Sequence, residues 1–345
     1  MKYGTIETTN SYKYLGFIFT PSGEIVSGLN DLRDRALRAY HKLKNKMGYH
    51  FRLHPSTTIS LFESLIKPIL LYSSDFWGCL KVPKSNPIEN LYMTFCKTIL
   101  GVQRQTSNIG TLLELGAVPI MFFGVKNCLK NWHRIHKRQE ANSILLKVHR
   151  MATEHNLPWP IKTKHQLDSI GIGSDSEVNN IHRAAFERLK DIFHQNSFEE
   201  INSEHSKLRT YAKLKTEAGM EKYLDSIKNI KNRTALTKIR LSNHELMIEK
   251  GRHQGLQENQ RLCPFCDNKI ENEQHFVMEC PTYNVLRQNL FDNITENENE
   301  FNGLNEFEKF CFLLTELDAG ELISEYLNKT FQIRKYLIEK PKQNG

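Results

Sequence analysis

Residues 262–281 read LCPFCDNKIENEQHFVMECP. Within them Cys263, Cys266, His275 and Cys280 follow the spacing C-x2-C-x8-H-x4-C. A Cys-x-x-Cys turn can aim two thiolates at one ion, and a His and a Cys on a following helical turn can supply the remaining two ligands. Three sulfurs and one imidazole with no position left open describe a structural, tetrahedral Zn²⁺ site. A catalytic zinc keeps an open position and usually a nearby general base, so that role is rejected. Pro264 and the Asn268–Lys269 pair suit a tight hairpin beneath the metal, and Phe276 and Val277 are placed to cover it. The competing reading is four unrelated residues with buried, apolar cysteines. Their clustering in a polar stretch argues against it. Cys79, Cys96, Cys128 and Cys311 lie in apolar helical settings and read as core.

Outward from this stretch the chain reads as mainly α. Residues 12–26 (YKYLGFIFTPSGEIV) place β-prone residues on either side of a Thr-Pro-Ser-Gly turn, which is a hairpin signal. Leu29, Leu32, Ala36, Tyr40, Leu43 and Met47 then recur at helical spacing up to a stop at Gly48. A second helix is expected after Pro55, capped by Ser56 and kinked at Pro68. Further helices are expected over 87–100, ended by Gly101, over 107–117 and over 119–140. Residues 156–180, with Pro158, Pro160, Gly171 and Gly173, read as an irregular linker. Helical periodicity returns over 180–250 and 284–345, with ENENE at 296–300 as a solvated loop. The expected division is a hairpin at 1–26, a helical bundle at 27–150, linker and helices at 151–206, a basic helical segment at 207–262, a zinc knuckle at 263–283 and an acidic helical tail at 284–345.

A chain of 345 residues predicts two or three domains. Its 39% hydrophobic and 25% charged content predicts that it folds. The net charge of +8 is unevenly spread. Residues 1–150 hold 21 Lys and Arg against 9 Asp and Glu, a net of +12, and residues 207–261 hold 13 against 6, a net of +7. Residues 151–206 and 263–345 are net acidic. Concentrated positive charge points to a polyanion, nucleic acid before membrane. The most apolar stretch, Leu65–Leu80, is interrupted by Lys67, Pro68 and Asp75 and falls short of a membrane span. The opening MKYGTIETTN has no apolar leader, and seven scattered cysteines argue against a disulfide framework. The expected setting is therefore intracellular, cytoplasmic or nuclear.

Several segments, taken in order, carry a family resemblance. Tyr12-Lys-Tyr-Leu15-Gly16 resembles an FKYLG primer-grip strand. Residues 64–78 (SLIKPILLYSSDFWG) resemble a thumb helix with its Pro-x-x-x-Tyr and downstream Trp-Gly, and 99–119 (ILGVQRQTSNIGTLLELGAVP) the thumb segment that follows. Residues 236–252 (LTKIRLSNHELMIEKGR) with CPFC…HFVMECP resemble a basic segment and zinc knuckle. Together, over about 10–140 and 230–290, they resemble the C-terminal part of a LINE-type (non-LTR) retrotransposon reverse transcriptase.

The resemblance implies a palm-remnant hairpin, a thumb-like bundle, and Leu15 and Gly16 in the primer grip. It implies that the α-helical stripe Arg35, Arg38, Lys42 and Lys46, with Arg104, contacts phosphates. Lys238, Arg240, His244 and Arg252, with Arg261 at the knuckle's edge, would line a path for template RNA or target DNA. Blander readings stay open: a solvated helix face for the stripe, a satisfied helix residue for His244, and packing over the metal rather than base stacking for Phe265, Phe276 and Tyr283. The family's polymerase carboxylates lie upstream of the primer grip in a Tyr-x-Asp-Asp motif. This chain has no adjacent Asp pair. Two-metal phosphoryl transfer needs convergent carboxylates, so no catalytic residue is assigned. The expected identity is a truncated element copy or partial gene model whose partners are RNA, DNA and an upstream polymerase region. The alternative is a zinc-stapled helical protein-interaction module that binds no nucleic acid.

Overall fold

The computed structural model describes residues 9–83, 85–136, 143–173, 180–204, 206–266, 268–297 and 299–340. The expectations for residues 1–8, 137–140, 174–179, 298 and 341–345 lie outside them. The described chain is mainly helical, with one two-stranded antiparallel sheet of β1 (Tyr12–Tyr14) and β2 (Phe17–Phe19). The helices are α1 (Val26–Met47), α2 (Pro55–Leu65), α3 (Lys67–Leu70), α4 (Ser74–Trp77), α5 (Pro87–Leu100) and α6 (Asn108–Glu114). Next come α7 (Met121–His136), α8 (Ile144–Glu154), α9 (Pro158–Ser169), α10 (Ile181–Ile201), α11 (Arg209–Leu214) and α12 (Tyr223–Ser226). The chain closes with α13 (Ile230–Arg240), α14 (Met247–His253), α15 (Asn284–Asn297), α16 (Glu306–Thr315) and α17 (Leu317–Glu339). Among the described residues no helix is long and apolar enough to cross a membrane.

The chain forms two compact units, each gathered from three separate stretches. Unit 1 takes Met1–Gly48, Thr57–Phe95 and Val118–Gln195; unit 2 takes Tyr49–Ser56, Cys96–Ala117 and Asn196–Gly345. The six consecutive segments expected from the sequence do not match this interleaving.

In unit 1 the hairpin pairs Tyr12 with Phe19 and Tyr14 with Phe17. Its turn is therefore Leu15–Gly16, both at positive φ (44° and 86°). That corrects the expected turn at Thr20–Gly23. The latter segment does turn, with Gly23 N–H donating to the Thr20 carbonyl at 3.0 Å, but it leads into α1. A two-residue loop of type I′ has positive φ at both positions, which Gly supplies freely and Leu does not. Leu15 is held there from outside. The Tyr72 hydroxyl donates to its carbonyl, and Arg35 donates to the Gly16 carbonyl at 2.9 Å. Of the expected α1 stripe, Leu29, Leu32, Ala36 and Tyr40 are buried, while Leu43 and Met47 toward its end are half-buried. Phe17 packs so tightly on Gly28 that a Cβ there would lie 2.3 Å from its ring.

The stretch around Pro68 is not one kinked helix. α2 stops at Leu65, and α3 restarts with Pro68 in its first turn, where the missing N–H costs nothing. The expected linker at 156–180 is also corrected. Pro158 opens α9 at its first position, and α9 buries Pro160, Thr163 and Leu167. These prolines start a helix instead of breaking one, and Leu167 joins Cys128, Leu129 and Trp132 in the core of unit 1.

Unit 2 is built on α13 and α17, with α15 and α16 packed against α17. Ser107 caps α6, its hydroxyl accepting from Gly110 N–H at 3.3 Å. ENENE is not wholly loop: α15 continues to Asn297, and a short 3-10 turn spans Asn299–Gly303.

Candidate metal centre and basic groove

The Cys/His stretch folds as a tight hairpin followed by one wide turn. Leu262 bridges Ile270, Cys263 N–H donates to the Lys269 carbonyl at 2.7 Å, and Asn268 turns the chain at φ 55°. His275–Glu279 then winds as a single π-helical turn, closed by Cys280 N–H donating to the His275 carbonyl at 2.8 Å. This wider winding brings His275 and Cys280, five residues apart, to the same place. One ligand atom from each of Cys263, Cys266, His275 and Cys280 lies within 4.8 Å of all the others. Cys266 Sγ and Cys280 Sγ are 3.4 Å apart.

The imidazole supports ligation. His275 Nδ1 faces Glu279 Oε2 at 3.3 Å, while Nε2 is buried with no hydrogen-bond partner. A carboxylate that fixes one ring nitrogen and leaves the other idle is the usual outer-shell arrangement of a ligating histidine. The Cys263 thiol, and then His275, hold the Cys280 thiol low at about 3, against the opposing effect of burial. Four buried or half-buried donors of this type can hold a metal ion, and their number leaves no open position.

The hairpin is tied firmly into unit 2. Glu271 pairs with Arg334 of α17 at 2.7 Å, and its other contacts reach Met247 N–H at 2.6 Å and, through its carbonyl, Ile248 N–H at 3.1 Å. Glu273 accepts from Arg209 and from His244, both at 2.9 Å. Phe276 stacks on Phe331 at 5.0 Å and meets Tyr283 edge-on at 5.1 Å. The Tyr326 hydroxyl donates to the Val277 carbonyl at 3.1 Å, and Arg287 donates to the Cys280 carbonyl at 2.9 Å. Phe276 and Tyr283 are therefore packing residues; both are buried. The hairpin is a wall of unit 2, not a detached knuckle.

The structure sorts the cations expected to bind nucleic acid. Arg240 is corrected outright: it is fully buried, bonded to Glu114 at 2.7 Å, Glu221 at 2.8 Å and the Leu314 carbonyl at 2.7 Å. A guanidinium with those partners holds the core together and meets no ligand. Arg261 is half-buried and donates from Nε and Nη2 to the Leu256 carbonyl and from Nη1 to the Ile248 carbonyl, so most of its reach serves the local fold. Arg35 is half-buried, paired with Asp31 at 3.1 Å, and clamps the hairpin turn. Arg38, Lys42 and Lys46 of α1 are exposed, as is Arg104. Arg252 is exposed but pairs with Glu249 at 2.8 Å. His244 is buried against Glu273 through Nε2 at 2.9 Å, while its Nδ1 is buried with no hydrogen-bond partner. Leu15 and Gly16 form the hairpin turn, with Leu15 exposed.

Lys238 has a different setting. It lines a cavity of about 630 Å³ in unit 2 with Lys231, Lys250, Arg52, Arg334 and Lys335. A second cavity of about 480 Å³ adds Lys207 and Arg252 and shares Gln103, Asn243, His244 and Lys250 with the first. The two adjoin as one groove with three acids in its lining, Glu245, Glu249 and Glu339. Lys231, Lys238 and Lys250 carry no ion pair among the described residues. Burial, and then the neighbouring Arg252, push the Lys207 ammonium down. Such crowding of cations makes a field that a polyanion would relieve. The sequence reading missed Lys207, Lys231 and Lys250. Lys231 was legible, since it sits two helical turns before Lys238 on α13. Lys207 and Lys250 come together with it only through tertiary folding.

The chain matches no protein-family model, no curated protein and no solved structure.

Proposed function

We propose that this chain is a nucleic-acid-binding part of a LINE-type non-LTR reverse transcriptase, with a structural Zn²⁺ held by Cys263, Cys266, His275 and Cys280. The groove of unit 2 takes the phosphate backbone of template–primer or target nucleic acid. One observation carries the reading: Lys207, Lys231, Lys238 and Lys250 line one groove whose walls are clamped by Glu271 and Glu273 of the Cys/His hairpin.

Bound zinc would close the 263–280 loop and keep those two carboxylates in register. Glu271 then holds Arg334 and the start of α14, while Glu273 holds Arg209 and His244. The lysines act as point charges on phosphates, so binding is independent of sequence and sensitive to salt. The exposed Arg38, Lys42 and Lys46 offer the same chemistry on unit 1. The hairpin turn Leu15–Gly16 retains the primer-grip role that the resemblance implies.

Fluorescence anisotropy with a labelled RNA–DNA hybrid tests this. Four lysine contacts predict a log–log salt slope of roughly −3, at about 0.7 to 0.9 per phosphate. Replacing Lys231→Gln together with Lys250→Gln should flatten the slope by about 1.5 for every sequence tried. Wild-type binding that ignores salt would sink the proposal.

A further inference from the structure

α8 leaves an apolar face uncovered. The helix packs on unit 1 through His149, whose ring meets Trp132 of α7 edge-on at 4.9 Å and Trp159 of α9 at 5.9 Å. None of its 11 residues is buried. On the side away from those rings, Ile144 is 75% exposed, and Val148 and Met151 are each 57% exposed. Leu145 beside them is exposed as well. Large aliphatic side chains gathered on one solvent-facing stripe mark a contact surface.

The spacing of the stripe and the charges beside it say what covers it. Ile144, Val148, Met151 and His155 step by four, three and four residues, the seam of a coiled coil. Leu145 and Ala152 flank the seam on one side, and Lys147 and Glu154 flank it on the other. Lys147 and Glu154 are exposed, and neither has an ion pair among the described residues. When a second copy of α8 is laid end for end on the first, Val148 lies against Met151 of that copy and Ile144 against its His155. The same register sets Leu145 beside Ala152 and Lys147 beside Glu154, so the charges match. Each pair occurs twice, because a two-fold contact uses the same patch on both copies. A parallel pairing sets Lys147 beside Ala152 and gains no ion pair. One charge of each sign along the flank also suits an anionic membrane poorly, since such a surface selects a basic flank.

We infer that α8 is the docking surface for a second copy of this chain, paired antiparallel through Val148 and Met151, with Lys147–Glu154 ion pairs fixing the direction. Ile144, Leu145, Val148 and Met151 bury less than a standard interface does, so the association is weak and depends on concentration. The inference is independent of the groove reading, since α8 belongs to unit 1.

The test is sedimentation velocity of the full chain, free of nucleic acid, over a roughly hundredfold range of concentration. The wild type should shift from monomer toward dimer as concentration rises. Val148→Asp, at an exposed position, should stay monomeric with an unchanged circular dichroism spectrum. Lys147→Glu sets like charges opposite each other in both flanking pairs and should weaken dimerisation roughly tenfold. Glu154→Lys should do the same, and the double exchange, Lys147→Glu with Glu154→Lys, should restore wild-type association. The proposal is overturned if the wild type is monomeric throughout, if Val148→Asp dimerises as the wild type does, or if the double exchange associates as weakly as either single one. Binding of phosphatidylserine vesicles by a chain that stays monomeric, lost in Val148→Asp, would also overturn it and give the face to a membrane.

Discussion

Arg240 and Lys238 lie two residues apart on α13, and their opposite roles give the sharpest test of the structure. The Arg240 side chain is fully buried, with Nε 2.7 Å from Glu114, NH2 2.8 Å from Glu221 and NH1 2.7 Å from the Leu314 carbonyl. Arg240→Met keeps the length of the stem and removes the charge. Glu114, itself fully buried, is left with the Tyr223 hydroxyl at 2.6 Å as its remaining close donor. An uncompensated buried charge of this kind costs about 3–5 kcal/mol, a large share of the roughly 5–15 kcal/mol that holds a typical domain folded. Lys238→Met, half-exposed on the groove, should change stability by less than about 0.5 kcal/mol. It should instead lower the salt slope of hybrid binding by about 0.9. Urea denaturation followed by circular dichroism, paired with anisotropy, separates the two. Adding Glu114→Leu to Arg240→Met should recover most of the lost stability, because replacing both members of a buried pair is far milder than orphaning one. If Arg240→Met melts like the wild type and merely binds less tightly, Arg240 faces ligand and the packing described for α13 is wrong.

The proposed zinc site makes an independent prediction. Cys280→Ser should lower bound zinc, measured by mass spectrometry of the native protein, and should destabilise unit 2 broadly, since Glu271 and Glu273 depend on the loop it closes. Loss of zinc with an unchanged urea midpoint would contradict the stapling role. Glu89 predicts a pH effect. Burial raises its carboxyl to about 7, partly opposed by the backbone N–H groups of Met121 and Ile120. A folded value above the unfolded one means that stability falls as pH rises from about 4.5 to about 7, by at most about 3 kcal/mol, and levels off above. Glu89→Gln should remove that fall; equal pH profiles for variant and wild type would refute it. Gly78→Ala should destabilise unit 1 by about 1–3 kcal/mol, because the added Cβ would lie 2.0 Å from the Gly124 carbonyl where α4 meets α7. An unchanged melting temperature would show that this approach is looser than described.

The helical readings that survived are those where one stripe of residues decides the outcome. Leu29, Leu32, Ala36 and Tyr40 repeat at 3.6 residues and are buried as a stripe. Proline was the recurring source of error. Pro68 and Pro158 each have two meanings, breaker or first-turn residue, and the local sequence does not say which applies. The hairpin turn was missed for a similar reason. Leu15 takes a positive φ because Tyr72 and Arg35, both distant in sequence, hold the adjoining carbonyls.

The Cys/His cluster that could hold a metal ion was legible from the sequence alone, since a Cys-x-x-Cys turn and a His and Cys one turn onward meet through local backbone geometry. The fate of the cations was not legible. Arg240, Arg261 and Lys238 look alike as letters in a basic segment. Each one's role depends on which acid or carbonyl the fold brings to it. Glu114, more than a hundred residues away, claims Arg240, and among the described residues no ion pair claims Lys238. Charge is a property of the residue, whereas its availability to a ligand is a property of what folds against it.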